Sequence, residues 1–124
     1  MSATVLKRAT LTVLKQPASI LVTEADVARG YLAVPSAVQV AVQTNSPAGY
    51  VLLVAAQDDF VREIVMSGLD SDIQLGAAGG LVFQRGGVRG VTRKNLDLRF
   101  RLVLAKGAQR GEHPWPVQLS VTPL

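Results

Sequence analysis

The chain of 124 residues contains no cysteine. That removes disulfides, zinc–thiolate sites, iron–sulfur clusters and thiol nucleophiles together. Histidine is nearly missing as well: His113 stands alone, between Glu112 and Pro114 in a stretch that reads as a loop. A Ser-His-Asp triad needs a nucleophile presented on a strained turn, and no G-x-S-x-G occurs. Aromatic side chains number six (Tyr31, Tyr50, Phe60, Phe83, Phe100 and Trp115), so the interior has to be aliphatic. Charged residues make up 18% against 48% hydrophobic ones, which argues against disorder for most of the chain. No apolar run approaches the roughly 20 residues of a membrane-spanning helix. The longest, 50–56, fits a strand buried on both faces instead. Residues 76–80 and 85–90 are glycine-rich, but neither matches a phosphate-cradling motif and neither opens a predicted helix.

What the sequence does have is alternation. Val38, Val40 and Val42 point one way, while Ala37, Gln39, Ala41 and Gln43 point the other. The rhythm returns at Leu96, Leu98, Phe100, Leu102 and Leu104, and again at Val117, Leu119 and Val121. A period of two marks strands with one buried face. A first strand runs through Val5, Ala9, Leu11 and Val13, and 31–34 is at most a brief edge strand stopped by Pro35. Residues 24–30 read as a turn ending at Gly30, 85–95 as a mobile basic loop, and 105–116 as a loop. Eight or nine short strands separated by turns predict one all-β sandwich domain spanning 1–124.

Carboxylates offer little chemistry. Asp58-Asp59 and Asp70-x-Asp72 sit at predicted turns, where aspartate ordinarily bonds the local backbone, and neither resembles a calcium loop. The sequence therefore predicts no enzyme, no metal and no cofactor.

Charge is the one pronounced asymmetry. The net charge is +4, yet residues 81–110 hold eight basic side chains against the single Asp97. Arg85, Arg89, Arg93, Lys94, Arg99 and Arg101 are the candidate anion-binding residues, with Arg99 and Arg101 on the wet face of strand 96–104. Such a cluster could grip an acidic polymer. It lacks the interleaved aromatics of single-strand binders, which argues against specific nucleic-acid recognition. The plainer explanation is a solvated sheet face with cross-strand charge pairs and positive edge residues.

Two segments carry a resemblance. Residues 44–52 (T-N-S-P-A-G-Y-V-L) resemble the strand–turn–strand corner of bacterial exported immunoglobulin-like and pilin-like sandwich domains. Residues 112–121 (E-H-P-W-P-V-Q-L-S-V) resemble their final strand. The resemblance implies an immunoglobulin-like antiparallel β-sandwich that is periplasmic or secreted, its leader removed, and structural or adhesive in function. It further implies a protein partner or self-association, with a pilus-type subunit among the forms this could take. Fimbrial subunits usually carry a cysteine pair, and this chain has none. An alternating arm such as 5–13 could be donated to a neighbour or pair within its own sheet, and own-sheet pairing is the expectation here.

Overall fold

Alternating Leu96, Leu98, Phe100, Leu102 and Leu104 form the inner face of a thirteen-residue strand on which the fold is built. In chain order the elements are β1 (Ala9–Lys15), β2 (Ser19–Val22), α1 (Glu24–Arg29), β3 (Tyr31–Ala33), β4 (Val38–Thr44) and β5 (Gly49–Ala56). Then follow β6 (Val61–Ser67), β7 (Ile73–Gly76), β8 (Gly80–Arg85), β9 (Thr92–Leu104), β10 (Gly111–Pro114) and β11 (Val117–Pro123). The computed structural model describes residues 6–34, 38–69, 71–86 and 91–124. Val5, Pro35, Ala37, Asp70 and Arg89 lie outside the described residues.

The larger sheet has the order β1-β4-β9-β6-β7, with β3 also paired to β9. The smaller sheet is β11-β5-β8, and β2 and β10 make a two-stranded ribbon. All pairings are antiparallel. Inner-face residues of the two larger sheets meet in one aliphatic core: Val38, Val40, Val42, Ile64, Met66 and Leu98 from one side, Leu52, Val54 and Val82 from the other. Trp115 is half-buried and meets Phe100 edge-on at 5.6 Å. At another rim His113 stacks on Phe60 at 4.4 Å. The fold is therefore the predicted all-β sandwich, with eleven strands among the described residues rather than eight or nine.

β3 and β4 follow the same edge of β9. Leu32 pairs with Leu102 and Val38 with Leu98, so six steps on one side match four on the other. The two extra residues leave the parity unchanged, and Leu32, Val38 and Val40 all face inward.

Three expectations are corrected. Residues 24–29 form a helical turn and a half, not a turn alone. Thr23 caps it, accepting from the Asp26 N–H at 3.2 Å while the Asp26 carboxylate accepts from the Thr23 N–H at 3.0 Å. Gly30, in the left-handed region at φ 85°, closes it with a 2.9 Å bond to the Asp26 carbonyl. Within 105–116, residues 111–114 are a strand, because their backbone pairs with β2. The predicted basic loop over 85–95 is strand at both ends: Arg85 closes β8, and Arg93, Lys94 and Asn95 belong to β9.

Candidate anion-binding cleft and apolar strand edge

β9 begins four residues before its first core leucine, since its pairing with β4 runs on to Thr92 opposite Thr44. Thr92 lies opposite Thr44 and Lys94 opposite Val42, and these residues line an open cleft where the two sheets part. Tyr50 and Gln84 face them from the smaller sheet, and Arg85 and Arg93 complete the rim. The corner that carries Tyr50 lies backbone-to-backbone on β8. Gly49 has φ 106°, and a Cβ there would sit 2.0 Å from the Gln84 carbonyl oxygen, so only glycine fits. That contact fixes Arg85 beside the mouth. Burial pushes the Tyr50 phenol up from its ordinary pKa.

Among the described residues no aspartate or glutamate side chain lines this cleft. Among the described residues the ion pairs are Arg29–Asp26 and Arg110–Glu24. Arg85, Arg93, Lys94, Arg99 and Arg101 thus have no acidic partner there. The expected cross-strand charge pairs are absent as well: Arg93 faces Gln43, Arg99 faces Ser67, and Arg101 faces Ala33 and Val65. The explanation by positive edge residues does not fit Arg101, which pairs with β3 on one side and β6 on the other.

The basic residues fall into two groups. Arg85, Arg93 and Lys94 converge at the cleft. Arg101 lies seven residues beyond Lys94 along β9, roughly 23 Å at strand rise, on the outer face with Arg99. There the Arg101 guanidinium sits 5.3 Å from the Tyr31 ring centre, and Arg29 sits at 5.2 Å. Sequence reading missed Arg29 and Tyr31, because only the β3–β9 pairing brings them to Arg101. Tyr31 is 37% exposed, and two guanidinium groups engage its ring. Arg89 lies outside the described residues.

His113 belongs to the ribbon, its Nε2 2.7 Å from the Gln109 carbonyl and its ring against Phe60. That placement gives it a structural task. Among the described residues no three histidine or carboxylate side chains gather as metal ligands.

A second surface was not foreseen. On the outer face of the smaller sheet Leu81 is 57% exposed and Phe83 64% exposed. Val51, opposite Phe83, is buried, and Leu53, opposite Leu81, is half-buried. Among the described residues β8 pairs only with β5, so this apolar face ends at an edge that no described strand covers. No protein-family model, curated protein or solved structure matches the chain.

Proposed function

We propose that this chain is a non-enzymatic structural or adhesive module that works outside the cytoplasm through protein–protein contact. The observation that supports this reading is the exposed pair Leu81 and Phe83 on a strand whose outer edge has no partner among the described residues. Together they leave roughly 200 Å² of apolar surface wet, whose burial is worth roughly 5 kcal/mol before the costs of association. Placement outside the cytoplasm draws its support from the resemblance of residues 44–52 and 112–121 to exported domains. A pilus-type donation of the N-terminal arm is the less favoured form, since β1 is already paired to the chain's own β4. The test is a photoreactive benzophenone residue installed at position 83 in cells that produce the protein. A polypeptide adduct is expected there and not from position 39, on the outer face of the other sheet. Equal labelling from both positions, or none from either, overturns the reading.

One observation favours a second reading, anion binding. A cleft rimmed by Arg85, Arg93 and Lys94, with no aspartate or glutamate side chain among its described residues, suits a sulfated or carboxylated polymer. Arg85→Gln with Lys94→Gln should then shorten retention on heparin at low salt, and Arg99→Gln should shorten it less. Unchanged retention in the double variant removes the cleft from consideration.

A further inference from the structure

Sheet edges invite pairing with other chains, and proteins blunt them with short strands, bulges, lysine or proline. Among the described residues the other edges carry such devices; β3 has only three residues, and the side of β9 that β6 leaves free before Arg99 carries Lys94. The register of β1 breaks between Val13 and Lys15, and the strand ends on that lysine. β7 has only four residues. β11 closes on Pro123, and each strand of the β2–β10 ribbon has four residues. β8 has six residues with no proline, lysine or register break.

Its free hydrogen-bonding groups can be assigned. The Gly86 N–H donates to the Ala48 carbonyl at 3.1 Å. Bonded and non-bonded pairs alternate along an antiparallel ladder, so Gln84, Val82 and Gly80 bond to β5. Leu81, Phe83 and Arg85 therefore direct their N–H and C=O groups outward. The Phe83 carbonyl shows this independently, for the Gln84 side-chain amide donates to it at 3.2 Å.

We infer that β8 pairs antiparallel with β8 of a second copy, about a two-fold axis through Phe83. This deepens, and rests on, the protein-contact reading proposed above. Leu81, Phe83 and Arg85 can all be paired at once in only one antiparallel register, the one that sets Phe83 against itself and Leu81 against Arg85. In that register no two charges of like sign meet across the seam. Each arginine lays its aliphatic stem on a leucine, and the two phenylalanines, already on the outer face, adjoin. Two three-stranded sheets become one of six strands. Such an edge seam buries about 1,000 Å² or less, at the weak end of specific interfaces, so association in the ~10–100 µM range is expected.

The test is sedimentation equilibrium of the full chain over roughly a hundred-fold range of concentration spanning that affinity. Dimer should appear at the upper end, and the amide protons of Leu81, Phe83 and Arg85 should gain exchange protection there. Those of Val82 and Gln84, already bonded to β5, should not change. Phe83→Glu and Phe83→Lys should each be monomeric, since each sets like charges on the axis, and mixing the two should restore dimer. Phe83 is exposed, so both variants keep the core intact. Three results overturn the pairing: a monomer at every concentration, a dimer indifferent to both variants, or no rescue on mixing. A monomer whose position 83 still cross-links a different polypeptide overturns self-pairing but leaves the contact reading standing; absence of both overturns the two together.

Discussion

Replacing Asp26 with asparagine isolates one charge in a nearly neutral setting. The carboxyl group is buried, accepts the Thr23 N–H at 3.0 Å and is paired with Arg29. The backbone bond from Thr23 is the main cause that holds its pKa below the ordinary value; burial works in the opposite direction, and the Thr23 hydroxyl and Arg29 reinforce the lowering. A hydrogen bond to a charged group contributes ~1.5–3 kcal/mol and a neutral one ~0.5–1.5, so exchanging the first for the second costs about 1 kcal/mol. Arg29 is half exposed, and solvent screening limits its share to a few tenths of a kcal/mol more, about 0.3–0.5. Asp26→Asn should therefore destabilise the protein by about 1–1.5 kcal/mol at neutral pH, or about 3–6 °C in Tm. A lowered pKa places that stabilisation above the unfolded value and removes it as pH falls through the folded value. Urea unfolding of both proteins at pH 7 and at about pH 2 measures the effect. The gap should be present at the first and closed at the second. Equal stability at neutral pH, or a gap undiminished in acid, would refute the reasoning.

Gly49→Ala must push a Cβ to within 2.0 Å of the Gln84 carbonyl oxygen from a left-handed backbone. Thermal melts should show a loss of at least about 2 kcal/mol. Leu98→Ala, at the centre of β9 and fully buried, should cost about 2–5 kcal/mol by urea titration. Tyr50 titrates above the ordinary tyrosine value because it is buried. Its contribution is complete below the unfolded value near 10 and declines as pH rises through the folded one. Tyr50→Phe should flatten the alkaline fall in stability measured by circular dichroism.

Stretches whose inner residues are all apolar were legible because burial and parity coincide, as in 38–42 and 117–121. The start of β9 was not, since Arg93, Lys94 and Asn95 extend past the core and carry no apolar signal. β10 was hidden for a related reason: its backbone pairs with β2 while its side chains Glu112 and Pro114 stay exposed. The helix had a readable signature in Thr23, Asp26 and Gly30, but six residues are too few for apolar periodicity to speak. Of the site, sequence reading found the basic residues and put Arg99 and Arg101 on the outer face, but could not bring Arg85, Arg93 and Lys94 to one cleft. That grouping depends on how far along β9 each residue lies and on which strand of the other sheet faces it. The bare edge of β8 depends on strand order, which no local pattern encodes.

The position of β9 in the chain also bears on how the molecule is made. Its neighbours on both flanks are synthesised before it, at separations from 32 residues (Ser67 to Arg99) to 72 (Tyr31 to Val103). A ribosome must therefore release both flanks before the strand that joins them exists, and contacts so remote in sequence make for folding in milliseconds to seconds rather than microseconds. Nascent chains stalled before residue 92 should be protease-sensitive throughout, with resistance arriving in one step once β9 has emerged.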